Sequence, residues 1–231
     1  MMKIGQSAKT QSYRSKKFID TYFKGKIIDI GGGGDPLYEN VEVFDLKNGD
    51  GDAQFILRYR EKESYDCVNS SHCLEHMKDV PAALSQWWEL VKPGGYMVIV
   101  VPHEDLYEQK IWPSLFNQNH TATFRLKSNT TWSPVSYDIF ELMDDLPSSK
   151  IIESELQDLN YDYKLLGKRI GKFSGKFYKH LKSNNYIKKK FANYLYNNFW
   201  VRSDGISGVP IDQTLGDALA QVQIVAKKIQ T

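Results

Sequence analysis

Four of the five histidines lie close together in the chain, and one of them follows a glutamate directly. The segment reads His72-Cys73-Leu74-Glu75-His76, and His120 follows in an asparagine-rich stretch. Residues three and four positions apart share one face of a helix, so a helix beginning here would bring His72, Glu75 and His76 together. Imidazoles and a carboxylate are suitable donors for a divalent cation. The spacing therefore predicts a site for Mn²⁺ or Mg²⁺ made of His72, Glu75, His76 and His120.

The same histidines can also work without a metal. A neutral imidazole accepts a proton near neutral pH, which is what a hydroxyl nucleophile needs before it can attack. On this interpretation His76, with His72 beside it, is catalytic as a general base. The spacing gives the order of the side chains but not their convergence in space, so both interpretations stay open.

A second group of candidates begins with four consecutive glycines, residues 31–34, directly after a short apolar run. Glycines allow backbone N–H groups to approach a ligand without an intervening side chain. The next apolar run ends in Asp45, whose carboxylate can accept hydrogen bonds from two ribose hydroxyls. The carboxylate of Asp52 can accept a hydrogen bond from an adenine amino group. A dinucleotide site is disfavoured, because Pro36 stands where the G-x-G-x-x-G pattern requires its third glycine.

Short apolar runs predict the strands that carry these residues, at 26–30, 41–45, 65–70 and 96–101. Helical periodicity over residues 74–91 predicts a helix between the third and fourth strands. Strand, helix and strand in this order form a βαβ unit and hence a parallel α/β sheet. Only residues 31–40 separate the first two strands, so any helix between them must be one turn or nearly absent.

The motifs IIDIGGGG, VEVFD, GDA, YDCVNSSHCLEHMKD and LVKPGGYMVIVVP, in this order, resemble those of class I S-adenosylmethionine-dependent methyltransferases. The resemblance implies a Rossmann-like α/β fold and S-adenosylmethionine as cofactor. It implies that the glycines line the methionine part of the cofactor, while acidic residues bind the ribose and frame the adenine. The cofactor-binding residues expected on this basis are Asp29, Gly31, Gly33, Asp45, Asp52, Ala53 and Ser70.

Two later segments, LYEQKIWPSLFNQNHTATF and QTLGDALAQVQIVAKK, resemble a bacterial group found among capsule and surface-polysaccharide biosynthesis genes. That resemblance implies O-methylation of a small anionic acceptor: a carbohydrate, a nucleotide-linked sugar or a phosphoramidate. The histidine cluster is also similar to that of small-RNA 2′-O-methyltransferases, in which an E-H pair and a later histidine hold a metal. RNA 2′-O-methylation is therefore an alternative, and a non-catalytic binding protein with a methyltransferase fold is another.

Charge is unevenly distributed along the chain. Lysine and arginine total 30 against 28 acidic residues, yet residues 163–203 contain eleven basic residues and no acidic one. Aromatic residues interleave with these charges, and this pattern favours an amphipathic helical lid with a solvated basic face rather than a nucleic-acid-binding segment. A lid that covers an anionic small molecule is a third option. We predict a single methyltransferase domain over residues 1–231: a cofactor-binding core at about 24–105, active-site loops at 102–150, a basic helical insert at about 167–205 between the last two strands, and a final strand at about 219–229.

The composition limits where the protein works. Two cysteines are too few for a disulfide scaffold, which favours a reducing compartment. The basic N-terminus has no apolar core of signal-peptide length, and no apolar run is long enough to span a membrane. We therefore expect a cytoplasmic protein without a membrane span, with peripheral membrane contact as an option.

Overall fold

A computed structural model of the chain describes residues 5–38, 41–170, 185–195 and 209–230. The chain divides into two compact units: Ile4–Gln157 with Gln221–Thr231, and Asp158–Ala220 with Met1–Lys3. The first unit contains every residue that the sequence predicts for the site. Among the helices of the described residues, none has the length and apolar character needed to cross a membrane.

Within the described ranges, the strands are β1 Ile27–Ile30, β2 Glu42–Phe44, β3 Tyr65–Ser71, β4 Val91–Pro102, β5 Thr123–Arg125, β6 Ser136–Asp138, β7 Ser149–Gln157, β8 Arg169–Ile170, β9 Val209–Pro210 and β10 Gln221–Lys228. The α-helices there are α1 Gln6–Tyr13, α2 Lys16–Tyr22, α3 Val80–Glu89, α4 Ile139–Asp144 and α5 Tyr186–Leu195. The described residues between β1 and β2 form turns only, as the short spacing predicts.

Six strands form one sheet in the order β2-β1-β3-β4-β10-β7. Strand β1 pairs in parallel with β2 and β3, and β3 pairs in parallel with β4. Strand β10 runs antiparallel to both of its neighbours. This mostly parallel sheet confirms the predicted Rossmann-like α/β fold. The carboxyl ends of β1, β2 and β3 lie at one edge, which is where open α/β sheets bind their ligands.

Both faces of the sheet are buried, because successive side chains of a strand point to opposite faces and each face is covered. On one face, Val68 belongs to a core cluster with Trp87 of α3. On the other face, Cys67 and Val98 pack in a second cluster with Tyr22 of α2. The helices thus cover both faces of the sheet beside the edge at which the site lies.

The helix predicted over residues 74–91 is wrong at its beginning. Residues Leu74–His76 form a separate 3₁₀ turn, and α3 begins only at Val80. Asp79 caps α3 by accepting a hydrogen bond from the backbone N–H of Ala82 over 3.0 Å. Pro81 lies in the first turn, where its missing N–H is tolerated, whereas deeper in a helix its ring would clash with the preceding turn. The histidines and Glu75 therefore do not meet on a helix face.

The second unit contains the antiparallel pair of β8 and β9 and the helix α5. It lies in the chain between β7 and β10, two strands of the main sheet. The basic helical insert predicted at about 167–205 falls partly here, and α5 is its described helix. Residues 171–184 and 196–208 of the predicted insert lie outside the described residues.

Candidate active site

The glycine loop follows β1 and turns sharply at the sheet edge. Gly31 has a φ of 81° and Gly33 a φ of 39°, in the left-handed region that disfavours other residues. A Cβ at Gly31 would lie 2.5 Å from Cβ of Cys73, and a Cβ at Gly33 would lie 2.8 Å from Oδ2 of Asp45. Neither position has room for a side chain. The loop therefore requires glycine both for its backbone angles and for close approach to its neighbours.

Asp29, which was predicted at the cofactor, lies behind this loop. Its Oδ2 accepts a hydrogen bond from the backbone N–H of Leu37 over 2.7 Å, and its Oδ1 accepts one from Nδ2 of Asn69 over 2.6 Å. Burial raises the pKa of the Asp29 carboxyl, although these hydrogen bonds and the charge of Arg14 oppose the shift. The structure gives Asp29 the task of shaping the loop. Ser70, also predicted at the cofactor, is buried at the end of β3.

A cavity of about 800 Å³ opens beside the loop and brings four of the seven predicted cofactor residues together: Gly31, Asp45, Asp52 and Ala53. Asp29, Gly33 and Ser70 are not among the residues that line it. Oδ1 of Asp45 accepts a hydrogen bond from the backbone N–H of Lys47, while its Oδ2 faces the glycine loop. Oδ1 of Asp52 accepts one from the backbone N–H of Gln54. Each carboxylate is thus fixed through one oxygen.

Another part of the cavity wall comes from the segment after β3. His72, Cys73, His76 and Asn119 line the cavity there. Nδ1 of His76 donates a hydrogen bond to the backbone carbonyl oxygen of Asn119 over 3.0 Å. Because a carbonyl can only accept, Nδ1 of His76 must carry a proton, and in the neutral ring Nε2 has the lone pair.

His120 reaches the same place from a distant loop. The backbone N–H groups of Thr121 and Ala122 donate to the carbonyl oxygen of Glu75 over 2.8 and 3.3 Å. The hydroxyl of Thr121 donates to the same oxygen over 3.0 Å. These bonds dock the loop onto the 3₁₀ turn. As a result, one ligand atom each of Glu75, His76 and His120 lies within 4.8 Å of the others.

The carboxylate of Glu75 is buried. Among the described residues, neither of its oxygens has a partner in hydrogen-bonding geometry. Oε1 lies 3.5 Å from Nδ1 of His72 and 3.9 Å from Nε2 of His120. Burial would raise the pKa of Glu75, but the neighbouring imidazoles of His72 and His120 outweigh it and lower this pKa. An ionised carboxylate in this position needs a positive partner.

His72, the fourth predicted ligand, is not a member of this three-residue group. Its Nε2 lies 2.9 Å from Oε1 of Gln221 in β10. Its backbone φ is 56°, which turns the chain away from a helical path after β3. The structure thus brings together three of the four predicted ligands. His72 lies outside that group, although its Nδ1 is 3.5 Å from Oε1 of Glu75.

Glu108 is not among the residues predicted from the sequence. This residue is buried, and its Oε1 accepts a hydrogen bond from Nδ1 of His120 over 2.7 Å. It is the last residue of the π-helical turn Glu104–Glu108. Such a short, irregular element has no hydrophobic periodicity from which it could be predicted. No spacing rule links a glutamate to a histidine twelve positions further along an irregular loop.

The sheet order, the glycine turn and the cavity at the carboxyl ends of the strands together define a class I methyltransferase fold. A family profile described as a methyltransferase domain matches residues 9–137, which is more than half of the chain. The chain belongs to this methyltransferase family.

Solved structures share the fold at low sequence identity. The YcgJ protein of Bacillus subtilis is 13% identical, with a TM-score of 0.51, and the match covers 93% of this chain and 96% of that one. An S-adenosylmethionine-dependent methyltransferase of Archaeoglobus fulgidus is 17% identical, with a TM-score of 0.50, and the match covers 98% and 96%. Comparison with curated proteins gave no match.

S-adenosylmethionine is the cofactor expected for this fold, and the described residues fit it. The backbone at Gly31 and Gly33 forms a surface that a side chain would block. Asp45 and Asp52 line the cavity with carboxylates, which suit ribose hydroxyls and an adenine amino group.

Proposed function

We propose that this methyltransferase transfers the methyl group of S-adenosylmethionine to an oxygen atom, with a divalent cation held by Glu75, His76 and His120 beside the cofactor cavity. The observation that carries the proposal is the state of Glu75: a buried carboxylate that faces imidazole nitrogens and has no hydrogen-bond partner in the part of the chain that the structure describes. His76 and His120 each have Nδ1 engaged by an oxygen, so Nε2 of each is the nitrogen available to a cation.

The cofactor residues have distinct tasks in this proposal. Gly31 and Gly33 approach the methionine part, Asp45 binds the ribose hydroxyls, and Asp52 with Ala53 frames the adenine. Ser70 lies beneath the cofactor, and Asp29 holds the loop in shape. When bound, the sulfonium of S-adenosylmethionine supplies an activated methyl group, so the protein needs mainly to align the acceptor in line and remove its proton.

Activation of the acceptor falls to the histidine group. A divalent cation at Glu75, His76 and His120 supplies Lewis acidity, which lowers the pKa of a hydroxyl beside it. In the alternative without metal, Nε2 of His76 accepts the proton itself. His76 suits either task because it lines the cavity and belongs to the three-residue group. His72 is proposed to assist through its contact with Glu75.

The acceptor we propose is a small anionic carbohydrate, nucleotide-linked sugar or phosphoramidate of capsule or surface-polysaccharide synthesis. Two features support it: the resemblance to that bacterial group and the eleven positive charges of residues 163–203. We place the reaction in the cytoplasm, because two cysteines are too few for a disulfide scaffold.

Methyl transfer to a panel of nucleotide-linked sugars and phosphoramidates tests this function. Protein stripped with a chelator should lose activity and regain it with Mn²⁺, while its affinity for S-adenosylmethionine in calorimetry stays unchanged. Full turnover after chelation would overturn the metal role and leave His76 as the base. Transfer to none of the panel would overturn the acceptor class.

RNA 2′-O-methylation is the second candidate, favoured by the convergence of Glu75, His76 and His120. It predicts binding of RNA that weakens steeply with salt, because phosphate contacts release counterions. Methyl transfer to RNA, with no transfer to the small acceptors, would replace the first proposal with this one.

A further inference from the structure

Glu108 is a buried carboxylate in the shell around the histidine group. Its side chain is 1% exposed, and its Oε1 lies 2.7 Å from Nδ1 of His120. Its Oε2 has no hydrogen-bond partner among the described residues. A buried carboxylate is unfavourable unless it is paired, so the contact with His120 must account for its presence.

The contact with Glu108 fixes which nitrogen of His120 carries a proton. A carboxylate accepts hydrogen bonds, so Nδ1 of His120 is the donor. In the neutral ring Nε2 then has the lone pair, and this is the nitrogen that faces Oε1 of Glu75 over 3.9 Å. The Tyr107 ring lies over the imidazole with centroids 5.4 Å apart, and the His76 ring meets it edge-on at 5.1 Å. The ring is therefore held in both tautomer and orientation.

We propose that Glu108 is a positioning residue for cation binding: it orients His120 and holds the ring proton on Nδ1, so that Nε2 faces the site formed with Glu75 and His76. Carboxylates that hold a ligating histidine in this way commonly tune metal affinity in proteins. This inference rests on the proposed metal site and adds to it a residue that need not touch the cation.

Glu104 provides the contrast within the same turn. It is also buried, but its Oε2 accepts hydrogen bonds from the hydroxyls of Thr123, Thr131 and Ser136. These bonds fasten strands β5 and β6 and the loop between them to the turn, which is a structural task. The two glutamates have similar burial and different partners, so Glu104→Gln is a matched control for Glu108→Gln.

The test measures Mn²⁺ binding by calorimetry to the full chain, as wild type, Glu108→Gln and Glu104→Gln. Glu108→Gln should weaken Mn²⁺ binding about 10–100-fold and leave S-adenosylmethionine affinity unchanged. Glu104→Gln should leave the Mn²⁺ affinity within about threefold of the wild-type value, because the hydrogen bonds of Glu104 do not involve a residue that binds the cation. Equal Mn²⁺ affinity in wild type and Glu108→Gln would overturn the role of Glu108 while the metal site stands. Absence of Mn²⁺ binding by the wild type would overturn both.

A measurement on the wild type covers the case in which Glu108→Gln does not fold. Long-range ¹H–¹⁵N spectra of the metal-free protein report the tautomer of each histidine ring. The proposal requires His120 to carry its proton on Nδ1, and Zn²⁺ should then shift Nε2 of that ring. Protonation of His120 on Nε2 alone would overturn it.

Discussion

Asn69 donates a hydrogen bond from Nδ2 to Oδ1 of Asp29 over 2.6 Å, and the two residues are also direct neighbours across strands β1 and β3. The other carboxylate oxygen of Asp29 accepts from the backbone N–H of Leu37, beyond the glycine loop. One buried side chain thus ties both ends of the loop to the sheet. The proposed cofactor surface therefore depends on a residue that does not line the cavity.

Asp29→Ala should therefore both destabilise the protein and weaken the cofactor site. It leaves two buried donors without an acceptor, which costs about 1–3 kcal/mol for each such group. Urea unfolding should show the loss, and calorimetry should show weaker S-adenosylmethionine binding. Asp144→Ala, at an exposed position at the end of α4, should change neither. If Asp29→Ala were destabilised but bound S-adenosylmethionine with unchanged affinity, cofactor binding would not depend on how Asp29 holds the loop.

Gly31→Ala should damage the loop more than Gly34→Ala. At Gly31 the φ is 81° and the new Cβ would meet Cys73 at 2.5 Å, whereas nothing lies within 4 Å of a Cβ at Gly34. The strained backbone alone costs about 1–3 kcal/mol, so cofactor binding should weaken by roughly tenfold or more. Calorimetry should measure the S-adenosylmethionine affinity of both variants. Equal affinities would show that the loop can accommodate a side chain at residue 31 without loss of cofactor binding.

Asp45→Asn should weaken S-adenosylmethionine binding with little effect on the fold. The amide oxygen can still accept from the backbone N–H of Lys47, but a hydrogen bond from a ribose hydroxyl to a carboxylate becomes one to a neutral group. We expect a loss of about 1 kcal/mol, or roughly fivefold.

Asp50→Asn is the matched control for that variant, because Asp50 accepts from the backbone N–H of Asp45 and does not line the cavity. Its cofactor affinity should equal that of the wild type. Equal losses in both variants would mean that the turn, and not the ribose contact, explains the effect.

The fold could be predicted because it depends on local signals that the residues show directly. Apolar runs with a following glycine cluster or carboxylate marked β1 and β2, and the cofactor side of the cavity follows from them. The first residue of α3 could also have been predicted from the sequence, because Asp79 is an N-cap residue and Pro81 is a proline in the first turn. The periodic apolar stripe extending back to Leu74 obscured that signal.

The histidine site could be predicted only in part, because it depends on long-range contacts. The loop that carries His120 docks through backbone bonds to the carbonyl oxygen of Glu75, and backbone bonds between loops leave no pattern in side-chain types. Gln221, which holds His72, comes from a strand 149 positions away in the chain. Such partners are set by the packing of strands, so residue spacing cannot identify them.

His103 should make stability depend on pH. Burial lowers its pKa, although Asp105 and Glu104 oppose the shift, so the unfolded chain binds a proton that the folded state resists. The contribution of His103 therefore falls as pH drops below the unfolded value of about 6.5. Relative to His103→Gln, the wild type should lose unfolding free energy between pH 7.5 and pH 5.5 in urea titrations. Parallel curves for the two proteins would contradict this assignment.

His72→Gln and His120→Gln distinguish a three-residue cation site from the four-residue set that the sequence predicts. His120 contributes to the group within 4.8 Å, and His72 does not. His120→Gln should therefore reduce Mn²⁺ affinity by more than the roughly 10–100-fold expected for a lost supporting residue. His72→Gln should retain Mn²⁺ binding within about tenfold, because its contact with Glu75 supports the carboxylate without ligating the cation.

Calorimetry with Mn²⁺, together with S-adenosylmethionine titrations as the folding control, measures both variants. A large loss in both would show that His72 moves to the cation when it binds, since its Nδ1 lies only 3.5 Å from Oε1 of Glu75. In that case the hydrogen bond from His72 to Gln221 would hold the fourth ligand by its other nitrogen, as Glu108 holds His120. Loss in His120→Gln alone would leave a site of two imidazoles and one carboxylate, a donor set that keeps coordination positions open for an acceptor.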